Sequence, residues 1–331
     1  MSHLPTRHLD ATRAADLDDA VQLLRAGRLV AVPTETVYGL AADATQPDAV
    51  RAIFTAKGRP NDHPLIVHLP DASHLPRWAR DIPDDAHRLA AAFWPGPLTL
   101  LLQRAPEADA TVAGGRDSIG LRVPAHPVLR EVLRRLDGGL AAPSANPYQR
   151  LSPTTAAQVL AGLDGRIDAV LDGGPCTVGL ESTIVDLTGD APRVVRAGPI
   201  TAADIAAVLG RPVEQPQQHD TAVSGNVAVH YRPRTPLRMF DAATLAARLQ
   251  ALPDGLQVAV AAYGHAMPRP TAPGVMTWVV MPEPKPDYAR ALYATLHALD
   301  ATGADEIWLQ TPPTGDAWHD VHDRLGRAAA G

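Results

Sequence analysis

Residues 28–40 read RLVAVPTETVYGL, a stretch in which an apolar run passes directly into a polar segment. The run Arg28–Val32 predicts a buried strand. The preceding residues Asp16–Ala26 have the spacing of an amphipathic helix, and Gly27 is the kind of residue that ends one. A helix, a strand and then a polar loop form the order typical of an α/β sheet, in which ligands bind where strands end.

The same alternation continues as far as residue 210. Short apolar runs predict strands, and the amphipathic stretches between them predict helices. The last three strands follow one another closely, which favours a mixed sheet over an all-parallel one. We therefore expect an α/β fold with a twisted, mixed parallel and antiparallel sheet. Its further strands are predicted at 64–69, 98–102, 119–123, 140–142, 168–171, 183–187 and 192–196, and its further helices at 47–56, 83–93, 127–136, 154–160 and 202–209.

Residues 211–238 interrupt this pattern. They begin as a polar, proline-bearing stretch of the kind found in linkers. Their net charge is +2, because they hold four arginines and two acidic residues. A second, smaller α/β pattern follows them. We therefore expect a main domain at 1–210, a linker at 211–238 and a small C-terminal α/β domain at 239–331.

The composition narrows the class of protein. The chain has 331 residues and a formal net charge of −6, so it lacks the dense basic field that holds nucleic acid by charge alone. The single cysteine, Cys176, excludes an internal disulfide. The N-terminus lacks a signal-peptide pattern, and no apolar run approaches the roughly 20 residues that span a bilayer. We expect a soluble, cytoplasmic protein without membrane contact.

Lysine is rare in this chain: among thirty cationic side chains, only Lys57 and Lys285 are lysines. Lys57 stands two residues before Arg59, after a predicted helix and before a proline-bearing stretch that cannot continue it. A lysine is a compact point charge that suits a phosphate or a carboxylate. Two cations on a stiff loop therefore indicate an anion site, and the alternative is a surface lysine retained by chance.

Three other polar segments carry candidate chemistry: residues 33–40 (PTETVYGL), 142–147 (APSANP) and 179–186 (GLESTIVD). Each has an ordinary alternative, such as a polar turn or an Asn-Pro turn. His68 lies in an apolar strand, where a histidine is more often a core residue than a ligand. The sequence contains no Gly-x-x-x-x-Gly-Lys-Ser/Thr phosphate loop, Gly-x-Gly-x-x-Gly after the first strand, His-Glu-x-x-His or Gly-x-Ser-x-Gly motif.

Taken together, these segments resemble the YrdC-like family of threonylcarbamoyl-AMP synthases. The likeness runs in order over about residues 15–210, and its signature is a Lys-x-Arg and a Ser-x-Asn pair. The YrdC-like fold is what the resemblance implies for the first domain. The matching segments are PTETVYGL (33–40), K-x-R-P (57–60), PLIVH (64–68), R-x-P (122–124), PSAN (143–146), GLESTIVD (179–186) and RAG (196–198).

The resemblance implies an enzyme that joins L-threonine, bicarbonate and ATP into threonylcarbamoyl-AMP and releases pyrophosphate. This is the first step in forming N6-threonylcarbamoyladenosine at position 37 of tRNA. It implies Mg²⁺ that is held mainly by ATP and no metal cage in the protein. The implied partners of the product are downstream threonylcarbamoyl-transferase proteins and, indirectly, tRNA.

By motif position, the resemblance also implies roles for individual residues. The implied catalytic residues are Lys57, Arg59, Ser144 and Asn146. The implied L-threonine pocket, in which Arg122 pairs the carboxylate in bidentate fashion, consists of Thr36, His68, Arg122, Ala142 and Ser182. The implied nucleotide site consists of Arg59, His63, Ser118, Ser144, Asn146, Ser152, Arg196 and Tyr231.

Tyr231 comes from the linker. Gly225 and the segment HYRP at 230–233, followed by a second domain, resemble the longer, two-domain branch of the family, in which the linker folds back over the active site as a lid. The linker departs from the family pattern at Asn226 and Val227, where Met-Lys is common. The ligand role of the linker is therefore a weaker expectation than that of the first domain.

Two other functions compete with the synthase. A non-catalytic double-stranded RNA-binding module would need a basic stripe on its surface, which the acidic composition disfavours. The carbamoyl-transfer module of hydrogenase-maturation proteins shares this fold. Those proteins also carry a zinc-finger segment with two Cys-x-x-Cys pairs, and a chain with one cysteine has none.

Overall fold

The computed structural model describes residues 5–216, 221, 223, 225, 230–265 and 267–330. The chain divides into two compact units. The first consists of Met1–Tyr148 and Ser152–Asn226, and the second of Gln149–Leu151 and Val227–Gly331. None of the helices in the described part of the chain is long and apolar enough to cross a membrane.

The first unit is built on a mixed sheet. Its strands are β1 (Arg7–Asp10), β2 (Val30–Val32), β3 (Gly39–Asp43), β4 (Ile66–His68), β5 (Leu98–Gln103), β6 (Ser118–Arg122), β7 (Leu140–Ala141), β8 (Ala169–Asp172), β9 (Thr183–Asp186) and β10 (Arg193–Arg196). Its helices are α1 (Ala14–Arg25), α2 (Pro47–Lys57), α3 (Leu75–Trp78), α4 (Asp84–Phe93), α5 (Pro127–Leu136), α6 (Ala156–Leu163) and α7 (Ala202–Leu209).

The strand order is β1-β8-β2-β3-β7-β4-β6-β5-β9-β10. The pairs β1–β8, β2–β8, β4–β6 and β5–β9 are parallel, and the other neighbours are antiparallel. The prediction of an α/β fold with a mixed sheet is therefore confirmed.

Alternating side chains of β2 reach two separate cores, as strand geometry requires. Val30 and Val32 belong to one apolar cluster together with residues of α1 and α5. Ala31 belongs to another cluster, to which α2, α4 and α6 contribute. Strand β2 is therefore buried on both faces, because helices cover both sides of the sheet.

Three strands were not predicted from the sequence: β1, β3 and β11 (Leu237–Phe240). Residues 39–43 read GLAAD, and glycine and alanine have low β propensity. The strand forms because β2 and β7 pair with it on either side. Strand β11 crosses the boundary between the predicted linker, 211–238, and the predicted C-terminal domain, and it pairs with a strand that lies about 70 residues later in the sequence.

The second unit contains a smaller α/β sheet, as predicted for the C-terminal part of the chain. Besides β11, its elements are α8 (Ala242–Gln250), β12 (Val258–Tyr263), β13 (Val275–Met281), α9 (Lys285–Asp300), β14 (Glu306–Gln310) and α10 (His319–Ala329). The strand order is β11-β14-β12-β13, and all three pairs are parallel. Leu245, Leu249, Val260 and Trp308 lie in its core.

Candidate active site

The Lys-x-Arg pair lies at the end of α2. Lys57 is the last helical residue, and Gly58 adopts the left-handed conformation at φ 65° that glycine tolerates best. The amide of Gly58 donates to the carbonyl of Thr55, and the amide of Arg59 donates to that of Phe54. These two bonds form a Schellman motif, which reverses the chain. The sequence pattern predicted Lys57 on a loop after the helix, and this prediction was wrong.

The ammonium group of Lys57 is buried without a counter-ion. The residue is only 3% exposed, and Nζ donates to the carbonyl oxygens of Ser144 and Asn146 at 2.5 Å each. No carboxylate among the described residues pairs with it. Burial, and secondarily the nearby charge of Arg59, hold the pKa of Lys57 well below its usual value. Two of its three donors are used, so one remains for a ligand.

Arg59 extends this positive site. Its side chain is buried, and Nη2 donates to the carbonyl of Pro64 at 3.1 Å. His63 is half-buried, with its ring centroid 5.6 Å from that of Tyr148. Burial lowers the pKa of His63, and the positive charge of Arg59 lowers it further. His63 is therefore neutral near pH 7 and can donate or accept a hydrogen bond.

The polar segment after β2 forms a closed turn. Thr34 Oγ1 accepts hydrogen bonds from the amides of Thr36 and Val37, and it donates to the carbonyl of Val37 at 2.7 Å. The hydroxyls of Thr34 and Thr36 lie 2.8 Å apart. All of these side chains are buried, so the turn is part of the protein interior rather than a surface loop.

Arg122, at the end of β6, reaches this turn. Its Nε donates to the carbonyl of Gly96 at 3.0 Å, and Nη1 donates to Thr36 Oγ1 at 3.0 Å. Its Nη2 donates to Glu35 Oε1 at 2.5 Å in an ion pair that is almost fully buried on both sides. Three of the five guanidinium donors are thus occupied in the described part of the chain.

His68 lies beside Arg122, because the two residues are paired across the parallel strands β4 and β6. Burial, and then the charge of Arg122, lower the pKa of His68 to about 3. The ring is therefore neutral near pH 7. Its Nδ1 is buried and has no hydrogen-bond partner among the described residues. Three predicted members of the threonine pocket, Thr36, His68 and Arg122, are thus brought together.

Ser182 and Arg196 are also in direct contact. Arg196 Nε donates to the carbonyl of Ser182 at 3.0 Å, and Nη2 donates to its Oγ at 2.9 Å. Thr99 Oγ1 lies 2.8 Å from the same Oγ. Ser152 donates to Glu181 Oε1 at 2.6 Å. The family resemblance implied different substrates for Ser182 and Arg196, whereas the fold brings their side chains into contact.

Other predicted residues have simpler surroundings. Ala142 continues β7 and donates its amide to the carbonyl of Ile66. Ser118 is half-buried at the start of β6, and no side-chain hydrogen bond joins it to another predicted site residue in the described part of the chain. Tyr231 is buried in the second unit, where its ring lies 5.8 Å from that of Tyr293. Asn226 and Val227 lie outside the described residues.

Sequence reasoning assigned no role to Glu35, Thr99 or Glu181. Glu35 offered a signal, since it is an acidic residue inside the segment that carries the family likeness. A carboxylate among apolar strands is rarely buried without a specific partner. The partner itself could not be read from the sequence, because Arg122 lies 87 residues away.

No group of three or more His, Cys, Asp or Glu side chains that could hold a metal occurs among the residues that the structure describes. Burial raises the pKa of the Cys176 thiol to about 12, and the charge of Glu35 adds to this effect. The thiol is therefore protonated near pH 7 and is a poor nucleophile.

Comparison with known proteins connects this geometry to a family. The Sua5/YciO/YrdC profile, described as "telomere recombination", matches residues 22–198. The Sua5 C-terminal profile, described as "threonylcarbamoyl-AMP synthase, C-terminal domain", matches residues 200–330. The chain belongs to the Sua5/YciO/YrdC family. Every predicted site residue except Tyr231 lies within the first of these two matches.

Individual members of the Sua5/YciO/YrdC family are similar over much of the chain. The threonylcarbamoyl-AMP synthase of Bacillus subtilis is 41% identical over 237 residues, which cover 70% of this chain and 68% of that protein. That of Pyrococcus abyssi is 41% identical over 219 residues, which cover 65% of this chain and 64% of that protein. The crystal structure of P. abyssi Sua5 complexed with L-threonine has a TM-score of 0.88 and 31% identity, and the match covers 98% of this chain and 97% of that one.

Proposed function

We propose that this chain is a threonylcarbamoyl-AMP synthase, which converts L-threonine, bicarbonate and ATP into threonylcarbamoyl-AMP, pyrophosphate and water. Two relatives that are 41% identical over 65–70% of this chain carry this name, and so does the profile that matches residues 200–330. The observation in the structure that best supports the activity is the uncompensated ammonium of Lys57 beside Arg59. Burial without a carboxylate partner disfavours the charged form of Lys57, and an anion that binds beside it would favour that form again.

The chemistry fits such a site. N-carboxylated threonine attacks the α-phosphorus of ATP, so two anions must be held together while charge develops at phosphorus. The attacking group belongs to the substrate, so no protein nucleophile is needed. Lys57 and Arg59 supply positive charge, and Ser144 and Asn146 hold the Lys57 ammonium in place through their carbonyl oxygens. Preorganised charge of this kind is commonly the largest contribution to catalysis.

We assign L-threonine to the pocket formed by Thr36, His68, Arg122, Ala142 and Ser182. Arg122 has two guanidinium donors, one on each Nη, beyond those used by Gly96, Thr36 and Glu35. Two donors are what a carboxylate takes in bidentate pairing. The neutral ring of His68 and the hydroxyls of Thr36 and Ser182 supply polar partners for the threonine hydroxyl.

We assign ATP to the neighbouring positive groups. Arg59 and Arg196 are buried cations, and His63 is a neutral ring beside Arg59. Ser118, Ser144, Asn146 and Ser152 complete the proposed set, and Tyr231 remains a prediction from the family likeness. Mg²⁺ would enter with the polyphosphate of ATP, because Mg²⁺ commonly binds substrate phosphates and water, and Lys57 and Arg59 are cations that cannot be its ligands.

The product is a mixed anhydride that must be passed on before water destroys it. We therefore propose cytoplasmic transferase proteins as its recipients and tRNA adenosine at position 37 as its destination. The net charge of −6 gives no support to direct, charge-driven binding of tRNA by this chain.

Pyrophosphate release provides the test. The purified chain with ATP and Mg²⁺ is expected to release pyrophosphate only when both L-threonine and bicarbonate are present. Valine should be rejected strongly, because a site that hydrogen-bonds a hydroxyl leaves its own polar groups unpaired when the hydroxyl is missing. Serine should be a weak substitute. Equal rates with valine and threonine would exclude the assignment. Tight double-stranded RNA binding without pyrophosphate release would favour the RNA-binding alternative.

A further inference from the structure

The buried ion pair of Glu35 with Arg122 leaves one carboxylate oxygen unused. Glu35 is 5% exposed, and its Oε1 accepts from Arg122. Its Oε2 is buried and has no hydrogen-bond partner among the residues that the structure describes. An unsatisfied carboxylate oxygen is costly inside a protein, and such an orphan points to a partner that the protein itself does not supply.

The charges around this oxygen decide what that partner is. His68 is neutral, because its pKa is about 3. Burial lowers the pKa of His126 despite the opposing effect of Glu35, and the Cys176 thiol is protonated. The charged contact at this place is therefore the Glu35–Arg122 pair, with a net charge of zero. A ligand that keeps the pocket neutral has no net charge, and a zwitterion meets this condition while it offers an opposite charge to each member of the pair.

We infer that Glu35 is a specificity-determining residue that accepts a hydrogen bond from the α-ammonium group of the amino acid substrate through Oε2. The inference rests on the proposed function and deepens it. The two remaining Nη donors of Arg122 take the carboxylate of the ligand, and the adjacent carboxylate oxygen takes its ammonium. A zwitterion thus meets complementary charges at both ends, whereas a simple hydroxy acid would bring an unpaired negative charge into a buried, neutral site.

The test compares two ligands in two proteins. L-Threonine and (R)-3-hydroxybutyrate differ only in the ammonium group, and their dissociation constants can be measured by calorimetry in the absence of ATP. The wild-type protein is expected to prefer threonine by about 10- to 100-fold, the usual effect of a hydrogen bond to a charged group. In Glu35→Gln, this preference should fall to within about threefold.

Three further measurements keep the outcome interpretable. Glu35→Asp retains the charge and should retain a preference for threonine, and it serves as the second variant if Glu35→Gln does not fold. Asp186→Asn is the matched control, because Asp186 is another buried carboxylate paired with an arginine, Arg193, at 2.7 Å. It should leave the ligand preference unchanged. Thermal melts of every variant report folding.

If Glu35→Gln weakens both ligands equally, Glu35 only supports Arg122 and the inference is wrong. It is also wrong if wild-type protein does not discriminate between the two ligands, or if Glu35→Gln keeps the full preference. Threonine- and bicarbonate-dependent pyrophosphate release by the wild type, measured alongside, tests the proposed function separately. If that activity is present while the preference does not depend on Glu35, the function stands and only the role of Glu35 fails.

Discussion

The two lysines of this chain lie in different units and in opposite environments. Lys57, in the first unit, is 3% exposed and donates to two backbone carbonyls, with no ion pair to a described carboxylate. Lys285, in the second unit, has a side chain that is 21% exposed and forms an ion pair with Asp320 at 2.7 Å. Lys57 thus has no counter-ion among the described residues, whereas the charge of Lys285 is paired with that of Asp320.

We propose that this difference separates a catalytic cation, Lys57, from a structural one, Lys285. Lys285 stands in the first turn of α9, where the helix dipole disfavours a positive charge. The buried Asp320 accounts for its presence there. Lys57 lies at the favourable C-terminal end of α2, but its burial and the proximity of Arg59 both oppose the charged form. Only an incoming anion would make that arrangement favourable.

The largest expected effect concerns conservative replacement of each lysine. Lys57→Arg is expected to reduce pyrophosphate release by about 10²- to 10³-fold, because a planar fork of donors cannot take the place of a point charge bound by two carbonyls. Lys285→Arg, the matched control, should stay within about twofold of wild type, since arginine also pairs with a carboxylate. Steady-state rates at a temperature where circular dichroism shows both variants folded provide the measurement.

Lys57→Arg is also expected to lower the melting temperature, because a larger group must fit a filled interior site. Wild-type turnover in Lys57→Arg would show that the uncompensated cation is not used in the reaction. The contrast between the two lysines would then have no functional meaning.

A second prediction concerns stability rather than turnover. Lys285→Met leaves Asp320, which is 2% exposed, without its counter-ion. The loss is expected to be about 3 kcal/mol of unfolding free energy, as for other broken buried pairs. Chemical denaturation measures the loss, and pyrophosphate release per folded molecule should not change. The double variant Lys285→Met/Asp320→Asn should regain part of the stability. Equal stability of wild type and Lys285→Met would show that the pair contributes nothing.

The sequence predicted most helices and most strands because their signals are local, although the four-residue helix α3 was missed. Helices α5 and α7 begin and end where the apolar spacing and the flanking proline, threonine or glycine place them. Strand β3 was missed because its residues GLAAD carry little β preference, and its pairing with β2 and β7 supplies the missing stability. Local propensity cannot report a strand that exists through its neighbours.

The candidate site was predictable as a set of residues but not as a set of contacts. The motif residues Thr36, Lys57 and Arg122 were named from their segments. Their partners were not, since Lys57 contacts carbonyls 87 and 89 residues away, and the carboxylate that pairs with Arg122 was not considered. Such contacts arise from the packing of the sheet. The charge balance of the pocket therefore emerged only with the fold.

The smallest expected effect concerns His68, which is buried in the first unit as Lys57 is. The pKa of His68 is about 3 in the folded protein, against an ordinary value of 6.5. Between these pH values the unfolded chain binds a proton that the folded chain does not, so stability falls as the pH falls. From pH 7.5 to pH 5.0 this group should cost about 2 kcal/mol of unfolding free energy.

Urea denaturation of wild type and His68→Gln at both pH values isolates the effect, because other titrating groups are common to the two proteins. The wild type should lose about 2 kcal/mol more than His68→Gln, and identical losses would mean that His68 is protonated in the folded state.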